Sequence, residues 1–174
     1  AAAKPNSTFG GLQIGTITYS FRSLPSSAEE TLKYCLDCGI RGIELMSNVA
    51  ESYAGSPAQA GRKAAEAVTK WRLSVPMAKY KAFRNMYESA GVKIYAFKLP
   101  PTLEMPDAEY EYIWNVGQTL GANHITMELP TDDKLLQRVA GFAAKRKLQI
   151  AFHTHGQGGS SGGGGGAGGA ADRV

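Results

Sequence analysis

The sequence predicts an α/β fold of the (β/α)8 TIM-barrel type, with about five strands and four helices of the barrel in this chain. Three observations predict it. First, one shape recurs at residues 38–46, 90–99, 120–129 and 145–154: the end of an amphipathic helix, usually at a glycine suited to a left-handed cap, then a short apolar strand. Second, strands alternating with helices require a parallel sheet with crossover connections. Third, the strands carry their polar residues on one side. An open sheet covered by helices on both faces would be apolar on both, whereas a barrel tolerates polar groups inside, near its C-terminal mouth. A full eight-unit barrel takes about 250 residues, and 174 are present here.

The elements follow in order. "LQIGTITYS" (12–20) is the opening strand, alternating Thr16, Thr18 and Ser20 with Ile17 and Tyr19. Ser26-x-x-Glu29 forms a capping box for the first helix, with Leu32, Cys35 and Leu36 on one face. The second strand sets Glu44 and Met46 against Ile43 and Leu45. Residues 47–70, rich in Ala, Ser and Gly, read as a surface excursion. Tyr80, Phe83, Tyr87 and Ala90 form the stripe of the second helix, which leads into the strand ending at Lys98. The third helix starts near Asp107, after Pro106, and presents Tyr110, Ile113, Trp114, Gly117 and Leu120. In the fourth strand His124, Thr126 and Glu128 oppose Ile125, Met127 and Leu129. Thr131 is the expected N-cap of the last helix, whose stripe is Leu135, Leu136, Val139, Phe142 and Ala143. The fifth strand sets Gln149, Ala151, His153 and His155 against Ile150 and Phe152.

This divides the chain into an N-terminal extension (1–8), a partial barrel domain (9–155) and a glycine-rich tail (156–174). Ten of the residues from 156 to 169 are glycine, so the tail has little to bury and much backbone entropy to lose. The net charge of +4 is scattered over the predicted helices, with no basic block that would indicate a nucleic-acid partner. No apolar run reaches the roughly 20 residues that span a bilayer, so no membrane partner is expected. The Ala1-Ala2-Ala3-Lys4 start is read as an exported or periplasmic chain after signal cleavage, or otherwise a cytoplasmic one. Cys35-x-x-Cys38 has no second pair to complete a zinc site, and Cys35 falls on the apolar face of its helix, so burial is its expected role.

Function in such barrels sits at the C-terminal ends of the strands. Reading those ends gives Ser20 and Arg22 as substrate-binding candidates, then Glu44 and Lys98 as catalytic candidates. Glu44 offers proton transfer or a grip on a hydroxyl, or else an ion pair with Lys98 or Arg41. Lys98 offers a hold on an anionic or hydroxylated ligand, or a pair with Glu44 or Glu128. His153 and His155 project to one side of a strand, and Glu128 lies one strand over on the same face. That N/O set suits a divalent metal such as Mn, Co, Zn or Fe(II), and hydrogen-bonded rim histidines are the alternative. Neither a phosphate-binding glycine loop nor a nucleophile elbow is present.

"IGTITYSFR", "GIRGIELM", "KWRLSVPMAKYKAFRNMYESAGVKIYAFKL", "GANHITMELP" and "IAFHTHGQG", in that order, resemble the bacterial sugar phosphate isomerase/epimerase family of xylose-isomerase-like barrels over residues 10–158. The resemblance implies a divalent metal site (Mn, Mg, Co or Zn) and proton transfers on ketoses or polyol derivatives through an enediolate. A small-molecule sugar is then the partner. His153 falls on a ligand position where many relatives carry Glu, and Glu128 is a further candidate. The family's strands six to eight lie beyond the part matched, so this chain is expected to hold an incomplete site. A dehydratase or lyase on a cyclic polyol or keto-sugar, and a non-catalytic half-barrel that assembles as a homo-oligomer, are the alternatives.

Overall fold

The computed structural model describes residues 4–57 and 62–154. A short antiparallel hairpin, β1 (Thr8–Phe9) and β2 (Leu12–Gln13), precedes the main sheet. The chain then runs β3 (Gly15–Ile17), α1 (Ala28–Asp37), β4 (Gly42–Met46), α2 (Ser47–Ala54), α3 (Arg62–Arg72) and α4 (Met77–Ala90). It continues through β5 (Lys93–Lys98), α5 (Asp107–Leu120), β6 (His124–Glu128), α6 (Asp133–Arg146) and β7 (Gln149–His153). The five strands β3 to β7 are all parallel and lie side by side in chain order. Right-handed crossovers between successive strands in that order bring every helix to the same face, which is the arrangement of a barrel wall.

The two faces divide by polarity as the alternation predicts, except in β5, where a register shift against Ile43 and Glu44 brings Ile94 and Phe97, three residues apart, to the same face. Ile43, Leu45, Ile94, Phe97, Ile125 and Met127 are buried under the helices, against Tyr80, Phe83, Tyr87, Ile113 and Trp114. The register puts Met46 beside Lys98, Lys98 beside Thr126, Thr126 beside Ala151, and Glu128 beside His153 on the other face. Three strand spacings separate β4 from β7, about 14 Å in a flat sheet. Glu44 on β4 nevertheless reaches His153 on β7 at 2.8 Å. No flat sheet allows that contact, so the sheet curls around this face as a barrel wall does.

Several details differ from the sequence reading. The opening strand is three residues long, and Thr18–Phe21 forms a 3-10 turn instead of continuing it. Ile17, not Thr16, shares the face of Glu44. Tyr19, on that turn, is exposed. The capping box shifts by one residue to Ser27 and Glu30, which "SSAEE" allows because both registers fit the motif. Asp132 caps α6 in place of Thr131, accepting from the Lys134 amide at 2.7 Å. The expected surface excursion is a pair of helices, and Val49, Ala50, Glu51 and Ala54 of α2 are buried. Val49, Ala50, Tyr53 and Ala54 form a short helical stripe within that segment, and Glu51 is buried beside it against the hydropathy pattern. The C-x-x-C reading holds: Cys35 is buried, with its thiol pushed up to about 12 by desolvation, and neither cysteine is paired.

Helix α5 owes its close approach to the sheet to Gly117. A methyl group there would lie 2.6 Å from Ile125 Cδ1 and 3.2 Å from Leu148 Cδ2. Alanine is the better helix former by about 1 kcal/mol, so the substitution tests which effect wins. Gly117→Ala is expected to destabilise by about 1–2 kcal/mol, because fully buried Ile125 has little room to move. The midpoint of urea unfolding measures it, and a stabilised variant would show that helix propensity dominates.

Candidate functional site

The curled face carries a cluster of five polar side chains near the C-terminal ends of β4, β5, β6 and β7. Glu44 is almost buried, and one of its oxygens accepts twice. The Thr126 hydroxyl donates to it at 2.7 Å, and His153 Nε2 lies 2.8 Å from it. On the other side of the ring, Lys98 Nζ stands 3.1 Å from His153 Nδ1 and 2.7 Å from Glu128 Oε1. Glu128 Oε1 lies 3.8 Å from the same ring nitrogen.

These partners fix the imidazole. A lysine ammonium has three donors and no acceptor, so Nδ1 must accept from Lys98. The ring hydrogen is then on Nε2, where it donates to Glu44. Thr126, Glu44, His153, Lys98 and Glu128 are therefore linked by hydrogen bonds across four strands, with Glu44 accepting from both its neighbours and Lys98 donating to both of its own. The run grades from the enclosed Glu44, 8% exposed, to Glu128, whose side chain is 51% exposed. Buried polar groups of this kind hold position because each has a partner in a low-dielectric setting.

Four of the seven candidates from the sequence thus meet in one place: Glu44, Lys98, Glu128 and His153. Glu44 pairs with Thr126 and His153, not with Lys98 or Arg41, and Lys98 takes Glu128. Thr126, which the sequence places on the polar side but does not single out, supports Glu44 directly. Parity alone could have found it, since it lies on the same side of β6 as Glu128. Ser20 and Arg22 are not part of the cluster. The 3-10 turn carries them away from the strand end, so that Ser20 accepts from Thr16 Oγ1 at 3.3 Å and Arg22 lies 4.8 Å over the Tyr19 ring. Arg22 instead lines a separate recess of about 310 Å³ with Thr18, Ser26 and Asn48. His155 lies outside the described residues.

The described residues fit a divalent ion poorly. Among them no three His, Cys, Asp or Glu side chains close on a common point. The place between Glu128 and His153, where an ion shared by those two would sit, is taken by the Lys98 ammonium.

A curled parallel β/α wall with a polar cluster at its C-terminal strand ends defines the first part of a (β/α)8 barrel. The comparisons agree on that fold. The chain is similar to the probable 3-DHS dehydratase AsbF, involved in petrobactin synthesis, from Bacillus anthracis, with TM-score 0.55 and 14% identity over 83% of this chain and 53% of that one. A sugar phosphate isomerase/epimerase from Parabacteroides distasonis matches with TM-score 0.50 and 16% identity over 86% and 53%. A xylose isomerase domain protein from Planctomyces limnophilus matches with TM-score 0.50 and 13% identity over 82% and 54%. The fold is therefore that of the xylose-isomerase-like barrels, and the chain spans about half the length of these structures. No protein-family model matches the sequence, and no curated protein does either. Among the described residues no helix is long and apolar enough to cross a membrane.

Proposed function

We propose that the cluster is part of the reaction centre of a (β/α)8 enzyme that moves a proton at a carbon next to a carbonyl in a sugar or sugar-derived polyol. The hydrogen-bonded run Glu44–His153–Lys98–Glu128, at the end of the barrel where such enzymes work, carries this reading. Among the described residues, Lys98 spends two of its three hydrogens, on His153 and Glu128. The third is available to a carbonyl or hydroxyl oxygen, where the ammonium stabilises negative charge as the carbon loses its proton. Glu128 sits directly at that ammonium, and Glu44 is linked to it through the ring. Two carboxylates joined through one cation suit the two proton transfers of an isomerisation, one off carbon and one back on.

The same first step, proton removal beside a carbonyl, also begins a dehydration, the activity in the name of one fold neighbour. Product analysis separates the two. Incubation with a panel of ketoses, aldoses and keto-polyols should yield an isomer of unchanged mass for an isomerase or epimerase. A dehydratase would instead give a product lighter by one water. Turnover of none of them would remove the sugar-directed reading.

A further inference from the structure

Among the described residues, the place between Glu128 and His153 is taken by a cation. Lys98 reaches it from β5, the strand next to β6, where the ladder sets Lys98 level with Thr126 and below Glu128. Its Nζ is 2.7 Å from Glu128 Oε1 and 3.1 Å from His153 Nδ1. An oxygen and a nitrogen lone pair directed at one point are what a divalent ion would use. Here the ammonium uses both. The side chain is 12% exposed, so it is anchored among its partners and not waving in solvent.

We propose that Lys98 and a divalent cation are alternatives for this one position. The ammonium is the resident positive charge of the cluster, and a metal ion binds Glu128 and His153 only by displacing it. The physical reason is charge. A dication brought within a few ångströms of a lysine ammonium in a site largely screened from water is strongly repelled. The imidazole adds a second condition. Its Nδ1 lone pair can point to the ammonium or to a metal, not to both, while Nε2 stays committed to Glu44. The site thereby does its electrostatic work with a covalently attached cation. The site is the one of the proposed reaction, and the competition between the two cations does not depend on the substrate.

Titration of the full chain with Mn²⁺ and with Zn²⁺ by isothermal calorimetry tests it without any substrate, so it stands or falls separately from the sugar-directed reading. Lys98→Met, which keeps the stem and removes the charge, should bind Mn²⁺ about tenfold or more tightly than the unmodified chain. Lys98→Arg should stay at the unmodified level, and Lys98→Met with Glu128→Ala should lose the gain. Lys98→Gln provides the same comparison if the Met variant does not fold, with circular dichroism as the check. Binding by the unmodified chain as tight as by Lys98→Met or Lys98→Gln would overturn the proposal. A gain that survives removal of Glu128 would overturn it as well.

Discussion

Arg72→Ala is expected to destabilise the chain by about 3–5 kcal/mol, the cost of removing one partner from a buried ion pair. Arg72 meets Glu51 in a bidentate pair, Nε to Oε1 at 2.8 Å and Nη2 to Oε2 at 3.1 Å, while Nη1 reaches Glu109 Oε1 at 3.1 Å. Glu51 and Glu109 are both buried. The Tyr112 hydroxyl donates to Glu51 at 2.9 Å and Thr69 donates to Glu109 at 3.1 Å, so both carboxylates are tied into the space between α2, α3 and α5. Burial opposes the Arg72 charge, and the hydrogen bonds and charge of Glu51, joined by Glu109, more than offset it, holding the guanidinium protonated more firmly than usual. Removing it leaves two desolvated carboxylates facing each other. Urea unfolding measures the loss. Replacing Arg72, Glu51 and Glu109 together by apolar residues of similar volume should recover most of it, because the cost lies in the stranded charges. A loss below about 1 kcal/mol for Arg72→Ala would show that water reaches the network.

The second large effect is on the proposed activity. His153→Ala is expected to lower kcat by about 10²- to 10³-fold, because the groups it holds lose the placement on which their proton transfer and charge stabilisation depend. His153 is a positioning residue: it holds Glu44 on one nitrogen and Lys98 on the other. Its side chain is 25% exposed, so stability should change little. A merely structural role is separated by His153→Gln, whose amide offers one donor toward Glu44 and one acceptor toward Lys98. That variant should recover part of kcat with KM close to the unmodified value. Equal loss in the Ala and Gln variants would mean that the ring itself takes part in the chemistry.

Much of this architecture was legible in the chain. The helix stripe of Tyr80, Phe83 and Tyr87 and that of Tyr110, Ile113 and Trp114 are buried as their spacing predicts, since large apolar side chains at helical period have nowhere else to go. Strand parity placed Glu44, Glu128 and His153 at the mouth, because alternation is fixed by backbone geometry; Lys98 was legible only as a strand end, since a register shift between β4 and β5 interrupts the alternation there. Two things were not legible. Helix α2 is only two turns long, and its stripe of Val49, Ala50, Tyr53 and Ala54 lies in a segment whose Ala, Ser and Gly content suggests a surface excursion; the burial of its Glu51 depends on Arg72, twenty-one residues away in sequence. Ser20 and Arg22 were placed by extending the first strand to residue 20, and a 3-10 turn breaks that extension. There the Thr18 side chain accepts from the Met46 amide at 3.0 Å, a tertiary contact that no local pattern announces.

The central claim is that Glu44 and Glu128, held by His153 and Lys98, transfer protons at carbon. Solvent exchange tests it most directly. The protein is incubated in D₂O with the sugar or keto-polyol panel, and deuterium at the carbon beside the carbonyl is followed by proton NMR. The account predicts exchange by the unmodified protein, slowed by about 10² or more in Glu44→Gln and His153→Ala. Exchange at the same rate in both variants, or none with any member of the panel, would contradict it.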